Sequence, residues 1–140
     1  MAPAPHTISM DRTLESAAHR MDELGVRHLP VVDGDRLVGV ISERDIALVD
    51  AVDRTELKDL TVEQAMTGVP YCVSLDTPIA DVARHMASRK LGSAVVVEGS
   101  RILGVFTTTN ALEALSRALD TASPGHANDE PSQAVVPGAH

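Results

Sequence analysis

Ser42 and Asp45 stand three positions apart, just after the β-rich run Gly39-Val40-Ile41. This pattern reads as a strand, a tight exit and the first turn of a helix. At a helix start the first backbone N–H groups lack intrahelical partners and attract phosphate. The short carboxylate of Asp45 suits the two hydroxyls of a vicinal diol such as ribose. Arg44 and the Arg27-His28 pair are cationic partners for a phosphate. Ile8, Leu29, Pro30 and Ile41 suit an apolar slot for a flat base. Gly39, with no side chain, allows a close approach to the strand. The same Ser-x-x-Asp spacing also fits a plain capping box, which stabilises a helix and binds nothing. The residues alone leave both readings open, and both hold together only if Asp45 points outward.

The elements that position these residues occur twice. Gly39-Val40 and Gly104-Val105 lie 65 residues apart, and the same shift carries Ser9 onto Ser74, Met21 onto Met86, Val31-Val32 onto Val96-Val97, and Gly34 onto Gly99. A gapless match of this length marks a duplicated unit. Each copy begins with a short extended piece (7–10, 71–75). A helix follows with apolar residues at Leu14, Ala17, Ala18 and Met21, or Ile79, Val82, Ala83 and Met86, the spacing of one buried face. Thr77-Pro78 reads as a capping hydroxyl before a first-turn proline. Two strands around Asp33-Gly34 or Glu98-Gly99 predict a hairpin, 29–32 with 37–41 and 94–97 with 102–106. A second helix closes each copy, 43 to about 52 and about 110 to 119. Between the copies, Thr61-Val62-Glu63-Gln64 fits a capping box.

The expected organisation is a leader over 1–6, a first repeat with its linker over 7–60, a second repeat over 61–120 and a disordered tail over 121–140. The chain has 140 residues, 44% of them apolar, enough for one core shared by two halves. A net charge of −8 argues against nucleic acid and anionic membranes as partners. Tyr71 and Phe106 are the only aromatic residues, which disfavours base stacking on rings. One cysteine, Cys72, allows no internal disulfide. No signal peptide and no run of about 18 apolar residues is present, so a soluble cytoplasmic protein is expected. The six histidines lack metal-ligand spacing. Paired carboxylates and a nucleophile with a base are missing, so an enzyme is not expected. Asp11 and Asp76 read as caps or helix-dipole partners, and Arg36 and Arg101 as solvated.

The duplicated β-α-β-β-α unit, with Arg27-His28-Leu29-Pro30-Val31-Val32-Asp33 and Leu37-Val38-Gly39-Val40-Ile41-Ser42-Glu43-Arg44-Asp45, resembles the CBS domain, the cystathionine-β-synthase-type repeat that occurs in pairs called Bateman modules. Leu91-Gly92-Ser93-Ala94-Val95-Val96-Val97 and Gly104-Val105-Phe106-Thr107-Thr108-Thr109 are similar to a variant of the motif. The resemblance covers about 7–119. It implies a mixed α+β fold, two repeats packed sheet to sheet with pseudo-twofold symmetry and two clefts. It further implies an adenosine-containing regulatory ligand (AMP, ADP, ATP, S-adenosylmethionine or NAD), no required cofactor, a homodimer, and an effector protein that the sequence does not name. The first cleft would use Ile8, Arg27, His28, Leu29, Pro30, Gly39, Ile41, Ser42, Arg44 and Asp45, with Asp45 and Ser42 matching the family's ribose-binding acid and exit hydroxyl. The weaker second cleft would use Val73, Ser93, Ala94, Val95, Gly104, Phe106, Thr107, Thr109 and Asn110. There Asn110 replaces the acid, Ser93 replaces His28 and Val95 replaces Pro30. The alternative function is a ligand-free dimeric scaffold.

Overall fold

The computed structural model describes residues 2–3, 6–52 and 55–122. Of the tail expected over 121–140, residues 121–122 instead end a helix, and 123–140 lie outside the described residues. Residues 1–108 form one compact unit that holds both sheets, and a second unit begins at 109. The division between these two units falls within the span of the expected second repeat.

The first sheet has the order β2 (Ile8–Ser9), β3 (His28–Asp33), β4 (Arg36–Ser42) and β5 (Thr67–Gly68). The second has the order β6 (Cys72–Val73), β7 (Ser93–Glu98), β8 (Arg101–Thr107) and β1 (Ala2–Pro3). Helix α1 (Leu14–Leu24) follows β2, α2 (Glu43–Val52) follows β4, and the short α3 (Val62–Ala65) precedes β5. Helix α4 (Ile79–Arg89) follows β6, and α5 (Thr108–Ala122) runs on from β8.

The 65-residue shift holds in detail. The β3–β4 pairing shifts register between Val31 and Val32, and the β7–β8 pairing shifts between Val96 and Val97. Strand β5 pairs Gly39 with Gly68, and β1 pairs Gly104 with Pro3. So each sheet's fourth strand is the segment that leads into the other repeat. These two strands were not anticipated, and the leader expected over 1–6 contributes one of them.

Period-two alternation sorts the strand residues into layers. On β3 and β4, Leu29, Val31 and Ile41 are fully buried in one cluster with Leu14, Ala17, Met21, Ile46 and Val62. In the second sheet, Ala94 and Val96 join Val73, Val82 and Met86. Val40, Val95 and Val105 are buried yet belong to neither cluster. Each adjoins a core residue in its strand and so points to the opposite face. Strands β3 and β8 touch there, so this layer is the seam between the sheets.

Helix ends show where the copies diverge. Thr13 caps α1 by accepting from the Ser16 N–H at 3.1 Å. The shifted position is Pro78, which has no such oxygen, and Thr77 turns back to accept from the Ser74 N–H at 3.2 Å. The expected Thr77 cap is therefore not made. Neither Asp11 nor Asp76 caps a helix; their N–H groups donate to Ser9 Oγ and Ser74 Oγ. The Thr61 box forms, with Gln64 Oε1 accepting from the Thr61 N–H at 2.8 Å. Arg36 and Arg101 pair across the hairpin turns with Asp33 and Glu98, at exposed sites where such pairs contribute little.

Helices α1 and α4 end in the same left-handed turn. Gly25 (φ 67) closes α1, and Lys90 (φ 57) closes α4. The next N–H, from Val26 or Leu91, reaches back to Met21 or Met86 at 3.0 and 2.9 Å, a Schellman closure. Lysine bears the steric cost of this conformation and glycine does not. Lys90→Gly should therefore raise stability by about 1 kcal/mol. Thermal denaturation should show a gain of roughly 2–4 °C; an unchanged or lower midpoint would refute the strain at this cap.

The helix-to-strand ties differ too. In the first repeat Arg20 Nε donates to the Thr7 carbonyl at 2.9 Å. At the position shifted from Arg20, His85 stacks on Tyr71, the residue before the equivalent of Thr7, with ring centroids 4.2 Å apart. His85, expected as a surface residue, is thus a half-buried packing residue.

Candidate functional site

The exit from β4 into α2 is held by reciprocal hydrogen bonds. The Ser42 N–H donates to Asp45 Oδ2 at 2.9 Å, and the Asp45 N–H donates to Ser42 Oγ at 3.0 Å. The capping box is therefore made. It uses one carboxylate oxygen; among the described residues Oδ1 accepts no hydrogen bond. Asp45 remains half-buried. Capping and presentation of a free carboxylate oxygen thus coexist.

The helix start is less open to an anion than the sequence suggests. The Glu43 N–H donates to the Arg27 carbonyl at 2.9 Å, and the Asp45 N–H is taken by Ser42. Among the described residues, the Arg44 N–H is the donor of this first turn left without a hydrogen bond. An anion placed here would meet mainly side chains. Arg27 and Arg44 are exposed, and His28 is half-buried.

His28 faces Ser42 across the strand pair. Its Nε2 lies 3.9 Å from where a Cβ on Gly92 would sit, so it reaches the entry to β7 in the other repeat. Burial lowers its pKa from the ordinary value, and the nearby Asp45 carboxylate partly opposes that. Among the described residues its imidazole makes no hydrogen bond. His28 and Pro30 share one face of β3, while Leu29 belongs to the other.

Other expected contacts lie elsewhere. Leu29 and Ile41 have 0% exposure and Ile8 has 5%, all within the core against the helices. They offer a ligand almost no surface, so their assignment to a base slot is corrected. Pro30 is buried as well. The close approach that Gly39 permits is taken by the protein itself. A Cβ there would meet the Thr67 carbonyl oxygen at 2.6 Å and Met66 Sδ at 2.8 Å. Of the residues expected at the first cleft, His28, Ser42 and Asp45 are half-buried and Arg27 and Arg44 exposed.

In the second repeat Val73 and Ala94 are core, and Phe106 packs against that core. Val95 belongs to the seam, and Gly104 is buried on β8 opposite Val96. Ser93 and Thr107 are half-buried. Thr108 donates to the Gly92 carbonyl through both its N–H (3.1 Å) and its Oγ1 (3.3 Å). Thr109 and Asn110 lie on α5 in the second unit, where Asn110 Nδ2 donates to Glu113 Oε1 at 3.5 Å. A recess of about 330 Å³ is lined by Ser74, Leu75, Asp76, Val97, Glu98 and Gly99, none of them expected in either cleft. Its two carboxylates suit a phosphate poorly.

Loss of surrounding water pushes the Cys72 thiol up, away from the thiolate form a nucleophile needs. Among the described residues no three metal-ligating side chains gather, and no helix is long and apolar enough to cross a membrane.

The fold and site define a class: two tandem α+β repeats joined sheet to sheet, with a polar exit motif at a strand-to-helix crossing. Comparison names it. The CBS domain family matches residues 1–51 and 58–117, and the chain belongs to that family. It is 33% identical over 111 residues to an uncharacterised protein of Methanocaldococcus jannaschii, a match covering 79% of this chain and 36% of that one. The chain thus spans about a third of that relative's length. The structure of CBSX2 in complex with AMP is similar (27% identity, TM-score 0.68, covering 85% of this chain and 94% of that one). So is the CBS domain pair of protein MJ0100 in complex with 5′-methylthioadenosine and S-adenosyl-L-methionine (25% identity, TM-score 0.72, covering 84% and 94%).

Proposed function

We propose that this protein is a regulatory module that binds an adenosine-containing ligand at the first cleft and passes the change to an effector protein. The carrying observation is Asp45: half-buried, held by its own helix cap, and keeping one carboxylate oxygen for a ribose diol. The relatives crystallised with AMP and with S-adenosyl-L-methionine support the adenosyl class of ligand. His28, Arg27 and Arg44 supply the partners for phosphate or another polar substituent. The second repeat, with Ser93 at the position of His28, offers an anion no imidazole and binds more weakly. The module acts by binding and not by catalysis, needs no cofactor, and works in the cytoplasm.

The reading includes a homodimer. Helix α2 exposes Leu48 and Val52, and α5 separately exposes Leu112, Leu115 and Leu119 along one face. Apolar stripes of this kind are suited to burial against another chain. A second reading, a ligand-free dimeric scaffold, is favoured by one observation: the space over Gly39 is filled by Met66 and Thr67.

Thermal-shift measurements with AMP, ATP, S-adenosylmethionine and NADH separate the two. A true ligand at 100 times its dissociation constant should add about 2.7 kcal/mol. If none of the four moves the midpoint, the scaffold reading stands in its place.

A further inference from the structure

Most of the polar groups around the first cleft are already committed. Ser42 and Asp45 engage each other, and the Glu43 N–H is held by the Arg27 carbonyl. The His28 imidazole is not committed. It is half-buried, carries no hydrogen bond among the described residues, and sits where three pieces of chain meet. These are Ser42 on β4, Asp45 on α2 and Gly92 at the entry to β7. We propose that His28 makes the binding of a phosphate-bearing ligand at this cleft proton-linked, so that the protein takes up a proton with the anion and binds it more tightly as pH falls. The inference rests on the ligand reading above and adds a regulatory input to it.

The surroundings of the imidazole carry the argument. From α2, Asp45 is the charged group that acts on it, while Glu43 and Arg44 are exposed at the rim. From β4 it meets Ser42, and from the β7 entry Gly92, neither of which titrates. Arg27, its neighbour on the chain, is exposed. With the cleft empty, burial therefore dominates and favours neutral imidazole. A phosphate at the mouth of α2 brings negative charge to the half-buried side chain opposite Ser42. The protonated form then gains a second counter-charge, and binding draws in a proton. A neutral nucleoside brings no such charge. The link also depends on repeat. The position equivalent to His28 is Ser93, and that equivalent to Arg27 is Gly92, so the second repeat has no proton to exchange there.

The test compares AMP with adenosine on the full chain at pH 6.0 and 7.5. Calorimetry in two buffers of different ionisation enthalpy reads proton uptake directly. Wild-type protein should bind AMP about three- to tenfold more tightly at the lower pH, up to the one-proton limit of tenfold per pH unit. Adenosine should show no proton uptake. AMP's own phosphate titrates near pH 6, so His28→Gln serves as the reference. The pH-dependent gain and the uptake should both shrink in that variant. An NMR titration of the His28 imidazole in wild-type protein, with and without AMP, needs no variant. Its midpoint should rise with AMP and stay put with adenosine. AMP binding with unchanged His28 titration, or equal uptake in His28→Gln, would overturn the inference and leave the ligand reading intact. If neither AMP nor adenosine binds at either pH, both fall together.

Discussion

Asp45→Asn should weaken an adenosine-containing ligand about ten- to a hundredfold while leaving thermal stability almost unchanged. The variant keeps an amide oxygen to accept from the Ser42 N–H, so the α2 cap survives. It loses the negative charge that would hold a ribose diol, and hydrogen bonds to charged groups contribute about 1.5–3 kcal/mol. Asp45→Ala is expected to do more. It removes the cap as well as the charge, and loss of such a cap costs about 1 kcal/mol, or roughly 2–4 °C in a chain of this size. The reciprocal bonds at 2.9 and 3.0 Å are what that variant would lose. Isothermal titration beside thermal melts separates the two effects. Wild-type affinity in Asp45→Asn would remove Asp45 from the ligand's ribose.

A larger loss of stability is expected from Gly39→Ala. The added Cβ would sit 2.6 Å from the Thr67 carbonyl oxygen and 2.8 Å from Met66 Sδ. The thioether can swing aside, but the carbonyl belongs to β5 and is fixed by its pairing with β4. Overpacking of this kind costs about 1–3 kcal/mol, here by prising β5 from the sheet. The midpoint should fall by roughly 3–10 °C. Gly68, directly opposite in register, provides the control. A Cβ there meets nothing within 4 Å, so Gly68→Ala should melt close to wild type. Equal melting of the two variants would show that the close approach at Gly39 carries no energetic weight.

Much of the fold was legible because duplication supplied an internal check. Apolar spacing in 14–21 and 79–86 gave α1 and α4, and the paired turns gave both hairpins. The Ser42-x-x-Asp45 box was legible as chemistry, though only coordinates could show that one carboxylate oxygen does the capping and the other stays free. The slot residues were harder. Leu29 and Pro30 are neighbours in one strand, so alternation alone forbids both from lining the same face. Assigning Leu29, Ile41 and Ile8 to a ligand failed because a strand covered on both sides is apolar throughout. Composition then gives no sign of which layer each residue joins. The two-residue strands β1 and β5 carry too short a pattern to announce themselves, although the 65-residue shift lays Ala2-Pro3 on Thr67-Gly68. The missed cap at Thr77 and the stacking of His85 on Tyr71 depend on side-chain direction, which spacing does not encode.

Strands β1 and β5 also bear on how such a chain can be cut. Severed near residue 60, the leading fragment would lack the strand that borders β4, and the trailing fragment would lack the one that borders β8. Each piece would expose a row of backbone donors and acceptors that only the other piece, or a twin of itself, can cover. The two halves are therefore obligate lenders to one another, and a gene for one half alone would specify a protein complete only as a strand-swapped couple.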